Sequence, residues 1–205
     1  MNSIVDLNLT PSDLGFDSQR FLKFRDIQLE AIEHAVNSDK RFIGLACPTG
    51  SGKSIIAASV AKLLGLRTVI LTSTKGLQEQ YSAEFASLGM KDIRGQANYQ
   101  CLDDNTLNCK EGRTAGCRLV NGGGCSYDIV KSIARNAQLV DTNYDFWMTV
   151  NAVVNSSGLE RTDREAVWKG ANPVELLVLD EAHDAAEKLA QFLAVKLYEH
   201  EIRRF

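Results

Sequence analysis

The segment ACPTGSGKS, residues 46–54, carries glycines, a lysine and a hydroxyl in the order that binds the phosphates of a nucleotide. The strict motif has glycine at position 47, where this chain has Cys47, and the rest fits. In such a loop Lys53 reaches the β- and γ-phosphates and Ser54 holds Mg²⁺. A plain glycine-rich turn with an exposed lysine is the alternative, and the strand and helix predicted on either side argue against it. The expected nucleotide-binding residues in the loop are Thr49, Gly50, Ser51, Gly52, Lys53 and Ser54.

A second segment, VLDEAHD, places two acids at the end of an apolar run that predicts a buried strand. In open parallel sheets, ligands bind at the carboxyl ends of the strands. We expect Asp180 to complete the magnesium site and Glu181 to polarise the attacking water as a general base. A charge pair at the N-terminus of a helix is the alternative. The phosphate-binding segment in the same chain favours the catalytic interpretation.

Four cysteines recur with seven residues between neighbours, in a polar, glycine-rich stretch. They are Cys101, Cys109, Cys117 and Cys125. Such a stretch cannot offset its ordering entropy by burial, so it is either disordered or held by a cross-link or metal centre. The N-terminus has no signal-peptide pattern, which predicts a cytoplasmic location, where disulfides are rare. Free reduced thiols are the remaining alternative.

The whole chain has the composition of an ordinary globular protein, with 205 residues, 44% hydrophobic, 24% charged and a net charge of −3. It contains no run of 18 apolar residues, so we expect no membrane partner. Helical periodicity alternates with apolar runs, which predicts an α/β domain around a mainly parallel sheet. The predicted helices cover 26–37, 53–65, 75–89, 126–137 and 144–154, with another beginning at 182, and the predicted strands cover 42–46, 67–74, 137–143 and 174–181.

CPTGSGKS together with DEAH resembles the superfamily 2 helicases. Asp180 lies 127 positions after Lys53, and the cysteines inside that interval narrow the resemblance to the XPD/DinG group of iron–sulfur DNA helicases. FRDIQ resembles the motif that this family has ahead of the loop, which places Gln28 and Arg25 near the adenine. LTSTKGLQEQY resembles a family motif whose residues lie near nucleic acid or stabilise that loop, here Thr72, Ser73, Thr74 and Gln78. LVDTNYDFW, with Asn143, resembles the segment that re-enters the core after the cluster.

The resemblance implies a RecA-like P-loop domain that binds ATP and Mg²⁺ and belongs to a DNA helicase with 5′ to 3′ polarity. It assigns residues 1–95 to the first part of the motor domain and 96–137 to a small cysteine-rich iron–sulfur insertion. Residues 138–205 are then the remainder, ahead of a second motor domain expected downstream in a longer chain. In this family the residue at His183 couples ATP hydrolysis to the second domain. The implied partner is single-stranded or forked DNA.

The family also implies that the four cysteines bind one 4Fe–4S cluster. Four thiolates satisfy four irons, and a polar segment of this kind needs an inorganic centre to become ordered. Zinc is the less favoured metal, because structural Cys₄ zinc sites usually contain close C-x₂₋₄-C pairs and this chain has none.

Aromatic and basic side chains near the cysteines suit a groove for single-stranded nucleic acid, through base stacking and phosphate contacts. Core packing of the aromatic rings and solvation of the charges are the alternatives at each position. The candidates are Tyr99, Tyr127, Tyr144, Trp147, Lys110, Arg113, Arg118, Lys131 and Arg135.

Two other functions fit the same motifs. A non-catalytic module would hold ATP and DNA without turnover, and a stand-alone P-loop ATPase or kinase would act without a second motor domain. The DEAH segment and the lack of an arginine-rich lid argue against the stand-alone enzyme. Without an arginine finger from a second domain, we expect this chain alone to hydrolyse ATP weakly.

Overall fold

A computed structural model of the chain describes residues 8–120, 124–151 and 173–194. Its centre is a four-stranded sheet, with β1 at Thr68–Thr72, β2 at Lys91–Asp92, β3 at Leu139–Asn143 and β4 at Leu176–Leu179. The strands lie in the order β2-β3-β1-β4, and every pairing among them is parallel. The predicted α/β class with a parallel sheet is therefore confirmed.

The helices alternate with these strands along the chain. They are α1 Asp26–Asn37, α2 Lys53–Leu64, α3 Lys75–Glu84, α4 Cys109–Thr114, α5 Ser126–Asn136, α6 Tyr144–Asn151 and α7 Ala185–Leu193. Short 3₁₀ helices lie at Pro11–Leu14, Ala86–Leu88, Gln96–Asn98 and Ala182–Asp184. No helix in the described ranges is long and apolar enough to cross a bilayer.

Both faces of the sheet are covered, which explains why β1 is apolar along its length. All five of its residues are buried. Because successive side chains of a strand point to opposite faces, Ile70 packs among residues of α1, α2 and α3, whereas Val69 and Leu71 pack among residues of α5 and α6. The two hydrophobic clusters thus fix the helices on either side of the strand ends.

One predicted strand is wrong. Residues 42–46 have no strand conformation and are mainly exposed, with Phe42 84% exposed. An apolar run becomes a strand only where a neighbouring strand pairs with its backbone groups, and none of the strands in the described ranges pairs with this one. The helix that follows it is nevertheless present as α2.

Helix ends follow local hydrogen bonding. Thr74 begins α3 by accepting a hydrogen bond from the backbone N–H of Leu77 at 3.2 Å. The helix predicted over 75–89 ends early, at Glu84, and a 3₁₀ turn then leads to Gly89, whose φ is 77°. The last part of the helix predicted over 144–154 lies outside the described residues.

The cysteine-bearing segment contains a helix that periodicity did not predict. The Asn108 side chain accepts hydrogen bonds from the backbone N–H groups of Lys110 and Glu111 at 2.9 and 3.0 Å. The Glu111 carboxylate accepts one in return from the backbone N–H of Asn108 at 2.9 Å. This reciprocal cap begins α4 and gives the segment local order without a large apolar core.

Arg67 ties the end of the cysteine-bearing segment to the sheet. Its side chain is buried, and its guanidinium donates to the carbonyls of Ala134 and Ala137, at 3.2 and 3.3 Å, at the C-terminal end of α5. A cation at this position satisfies carbonyls that have no partner within the helix. The chain therefore returns from α5 to β3 at a fixed place beside β1.

Asp141 is a fully buried carboxyl in the middle of β3. Within the described residues neither of its oxygens has a hydrogen-bond partner of good geometry, and the nearby hydroxyls of Thr72 and Ser82 favour its charged form only slightly. Burial, together with the charge of Asp92, raises the pKa of Asp141 to about 9. At neutral pH the folded protein therefore holds Asp141 protonated.

This proton makes stability depend on pH. An unfolded aspartate has a pKa of about 3.9, so the folded state binds more protons than the unfolded state above that pH, and stability falls as pH rises towards the folded pKa. Asp141→Asn has no proton to lose. Its unfolding free energy relative to wild type should therefore rise between about pH 5 and pH 8, by up to about 1.4 kcal/mol per pH unit.

Urea unfolding across this pH range measures the effect. Asp145→Asn is the matched control, because it removes an exposed carboxyl four residues further along. A difference between Asp141→Asn and wild type that stays constant with pH would contradict the buried neutral carboxyl.

Candidate nucleotide-binding site

The loop before α2 and the end of β4 meet at one edge of the sheet. Lys53 is the first residue of α2, and Glu181 follows β4 by two positions. The Lys53 Nζ lies 2.8 Å from the Glu181 Oε1. The carboxyl ends of parallel strands share one edge, which is where ligands bind in open sheets. The lysine predicted to bind phosphate and the acid predicted to activate water are therefore in direct contact.

The loop itself has the shape that its glycines allow. Gly50 and Gly52 have φ of 79° and 82°, in the left-handed region that glycine adopts at low cost. Ser51 is buried, and among the described residues its hydroxyl has no hydrogen-bond partner. Thr49 is exposed and Ser54 is half-buried. A buried hydroxyl without a partner at the N-terminus of a helix fits a phosphate ligand.

Two side chains that the sequence predicted near the adenine contact the loop backbone. The Arg25 guanidinium donates to the carbonyl of Gly50 at 2.8 Å, and the Gln28 amide donates to the carbonyl of Ser51 at 2.7 Å. The backbone N–H of Arg25 donates to the Gln28 Oε1 at 2.9 Å, which fixes the amide. These contacts hold the loop in its curved form.

Asp180 accepts three hydrogen bonds from described residues. Its Oδ1 accepts from the backbone N–H of Glu181 at 3.0 Å, and its Oδ2 accepts from the hydroxyl of Tyr81 at 3.0 Å. Its backbone carbonyl accepts from the hydroxyl of Tyr144 at 3.0 Å. Sequence reasoning did not predict either tyrosine here. The available signal was that Tyr81 lies three residues after Gln78, on the same buried face of α3.

The turn after Asp180 has an unusual backbone. Among the described residues Glu181 is the non-glycine residue with a positive φ, at 49° with ψ at 52°. Its carbonyl accepts from the backbone N–H of Asp184 at 2.8 Å. This conformation costs about 1–2 kcal/mol for an L-residue, and such residues cluster at functional sites.

Charge pairing dominates the electrostatics of the site. The hydrogen bond from Lys53 lowers the pKa of Glu181, and the same bond raises the pKa of Lys53. Both side chains are about one-third exposed, so water screens the pair. His183 lies beside them, with its Nδ1 3.3 Å from the Glu181 Oε2 and its Nε2 3.4 Å from the Asp184 Oδ1. Its side chain is 75% exposed and is therefore open to a partner.

A family model described as Type III restriction enzyme, res subunit, matches residues 21–203. The chain belongs to this family. The family is an N-terminal domain of helicase superfamily 2, so the chain is a helicase/ATPase-type motor domain. The match includes the phosphate-binding loop, the acidic turn and the sheet between them. No curated protein and no solved structure matches the chain.

Within this family member the cysteines lie as two pairs. The Sγ atoms of Cys101 and Cys117 are 3.8 Å apart, and those of Cys109 and Cys125 are 3.3 Å apart. Among the described residues no three histidine, cysteine, aspartate or glutamate side chains form a group that could hold a metal ion. Because no such group is found among those residues, the arrangement gives no support to a 4Fe–4S cluster or to a zinc ion.

The residues that resemble nucleic-acid motifs mostly stabilise the strand ends. Gln78 is fully buried and donates to the carbonyl of Ile93 at 3.0 Å. Asn143 donates to the Gln78 Oε1 at 3.2 Å and accepts from the backbone N–H of Phe146 at 2.9 Å. Of the two roles expected for the residues of LTSTKGLQEQY, the structure shows stabilising contacts for Gln78 and Thr74.

Burial also sorts the candidate nucleic-acid contacts. Tyr127 and Tyr144 are buried, and Tyr99 accepts a hydrogen bond from the backbone N–H of Arg94 at 2.9 Å. The guanidinium of Arg113 donates to Asp128 at 2.6 Å, and that of Arg118 pairs with Asp103. Two of the predicted cations, Lys110 and Arg135, are exposed and have no ion pair within the described part of the chain.

The two glycines of the loop give a matched pair of substitutions. Both have positive φ, so alanine at either position carries a similar backbone cost of about 1–2 kcal/mol. A Cβ at Gly50 would contact nothing within 4 Å, whereas a Cβ at Gly52 would lie 2.4 Å from the Gln28 Nε2. Gly52→Ala should therefore displace the Gln28 amide and lose its two hydrogen bonds. We expect it to lower the unfolding free energy by about 1–2 kcal/mol more than Gly50→Ala does, as measured by urea unfolding.

The Gln28→Ala background tests the cause. Without the amide, Gly52→Ala has no side chain to displace, so its cost should fall to that of Gly50→Ala. An equal cost for the two alanine variants in the natural background would show that Gln28 does not hold the loop.

Proposed function

We propose that this motor domain binds ATP–Mg²⁺ at residues 46–54 and hydrolyses it to drive movement on single-stranded DNA. The observation that carries the proposal is the 2.8 Å contact between Lys53 and Glu181, at the sheet edge where Asp180 also lies. The same loop holds the buried hydroxyl of Ser51, which has no hydrogen-bond partner among the described residues. A chance contact between a glycine-rich turn and a surface acid would not account for this second feature at the same edge.

Each residue of the site has a proposed role. Lys53 binds the β- and γ-phosphates, and Ser54 and Asp180 hold Mg²⁺. The bound Mg²⁺ supplies positive charge to the phosphate oxygens as negative charge develops on them. Glu181 accepts the proton of the attacking water, which requires its carboxylate to exchange Lys53 for that water. Lys53 then has the phosphates as its partner.

The resemblance to XPD/DinG helicases places Arg25 and Gln28 near the adenine. The proposal is that they bind the base in addition to the loop carbonyls that they contact. His183 couples hydrolysis to a second motor domain of a longer chain. Its exposed ring, with Nδ1 3.3 Å from the Oε2 of the proposed base Glu181, supports this role, because a partner that binds the ring also reaches the base.

The DNA partner follows from the same resemblance. Single-stranded or forked DNA and 5′ to 3′ movement are the properties that the XPD/DinG group implies, with residues 1–95 and 138–205 as the motor and 96–137 as the insertion. The exposed cations Lys110 and Arg135 lie in that insertion and supply charge for phosphate contacts.

Substitutions at the loop and the acidic turn test ATP hydrolysis. Lys53→Ala should lower the rate of phosphate release by about a hundredfold or more, because it removes a preorganised donor to the transferred phosphate. Glu181→Gln should lower the rate similarly and still bind ATP, since the amide keeps the shape and loses the base. Lys62→Ala is the matched control, because Lys62 is an exposed lysine on the same helix.

The same assay separates the candidate functions when single-stranded DNA is added. Stimulation by DNA supports the translocating motor, and equal rates with and without DNA contradict it. Binding of ATP with no turnover under any condition favours the non-catalytic module. Phosphoryl transfer to a small acceptor favours a stand-alone kinase.

The four cysteines carry a separate proposal, based on the XPD/DinG resemblance, that they bind a 4Fe–4S cluster. Protein purified without oxygen should then contain about four iron atoms and four sulfides per chain. Cys109→Ser should lose both, whereas Cys47→Ser should keep them, because Cys47 lies outside the cysteine-bearing segment. Zinc at about one atom per chain would identify the alternative metal, and a chain with neither metal would contradict the proposal.

A further inference from the structure

Tyr81 donates a hydrogen bond to the Asp180 carboxylate. Among the described residues, no other side chain is found to donate to this carboxylate. The side chain of Tyr81 is 3% exposed, and its hydroxyl lies 3.0 Å from the Asp180 Oδ2. The other carboxylate oxygen accepts from the backbone N–H of Glu181. Each oxygen therefore has one hydrogen bond, and each keeps a lone pair for a cation.

The ring of Tyr81 is fixed by packing. It meets Phe85, which directly follows the end of α3, edge to face with ring centroids 5.6 Å apart. Phe85 in turn packs against Phe16 and Phe21, at 5.8 and 5.9 Å. The tyrosine hydroxyl is the donor in this contact, because the carboxylate oxygen can only accept. A donor on a locked ring sets the orientation of its acceptor.

Tyr144 contributes differently. Its hydroxyl binds the backbone carbonyl of Asp180 and so holds the chain rather than the carboxylate. Of the two tyrosines, Tyr81 alone contacts the oxygens that would meet a cation. The two residues therefore separate the effect of carboxylate orientation from the effect of main-chain position.

We propose that Tyr81 is a positioning residue for the magnesium-binding carboxylate: its hydroxyl holds Asp180 in the rotamer that binds Mg²⁺ with the nucleotide. This inference rests on the proposed function, because it requires a magnesium–nucleotide complex at Asp180. It assigns to α3, the helix that follows the end of β1, an indirect part in metal binding, through Asp180.

The test compares Tyr81→Phe with wild type in the full chain. A fluorescent ADP is bound at increasing Mg²⁺, and its anisotropy gives the Mg²⁺ concentration at half-saturation, with EDTA as the baseline. Loss of an outer hydrogen bond to a metal ligand typically costs 10–100-fold in metal affinity, so the half-saturating Mg²⁺ concentration should rise about tenfold. Binding of ADP in EDTA should not change, because the ring and the loop stay in place.

Two controls exclude a general loss of stability. Thr142→Val removes another fully buried hydroxyl, which donates to the carbonyl of Ile93 at 2.6 Å and does not touch Asp180. It should leave the Mg²⁺ requirement unchanged. In the Asp180→Asn background, Tyr81→Phe should have no further effect on nucleotide binding, since the carboxylate it orients is gone.

The outcomes distinguish this inference from the proposed function. Wild type that binds ADP with a clear Mg²⁺ requirement, together with an unchanged or lower requirement in Tyr81→Phe, overturns the inference and leaves the proposed function intact. Wild type that shows no Mg²⁺-dependent binding overturns both. A rise that persists unchanged in the Asp180→Asn background also overturns the inference, because it would not act through the carboxylate.

Discussion

The contact between Lys53 and Glu181 is the constraint on which the arrangement of the domain depends. The two residues are 128 positions apart in the chain, and their 2.8 Å separation requires the loop before α2 and the end of β4 to reach the same place. The parallel sheet provides this. Leu71 of β1 is in register with Leu179 of β4, so the next residue, Asp180, emerges where β1 also ends. An antiparallel pairing of β4 would send the acids to the opposite edge.

The sheet brings the loop and the acidic turn to one edge, and hydrogen bonds to a few of their polar groups then fix their positions. Arg25 and Gln28 come from the start of α1 and bind loop carbonyls, whereas Tyr81 and Tyr144 come from α3 and α6 and bind Asp180. Most of these side chains are buried, where a lost partner costs about 1–3 kcal/mol. Satisfied bonds of this kind select one geometry more strictly than apolar packing does, because they require both distance and direction.

Sequence patterns predicted the parts that depend on local periodicity. The helical spacing of α1 was sufficient to predict a helix, because α1 is buried along one stripe. The apolar run at β1 was sufficient to predict a strand, because β1 is buried on both faces. The run at 42–46 has the same apolar character and is not a strand, since pairing depends on a neighbour that the segment itself does not specify. Long-range contacts such as that of Tyr81 with Asp180 could not be predicted from the sequence either, because a tyrosine in a buried pattern is interpreted as a core residue until its hydrogen-bond acceptor is known.

The backbone at Glu181 sets how that acid responds to a change of partner. A residue held at positive φ carries torsional energy that is released when the turn relaxes. The free-energy difference between the observed turn and a relaxed turn is therefore smaller than in an ordinary loop. Exchange of the Lys53 ammonium for a water molecule beside the Glu181 carboxylate can then shift the whole turn, including the His183 imidazole two positions later. In the proposed nucleotide complex, a change at the phosphates would in this way reach the protein surface through the two peptide units between Glu181 and His183.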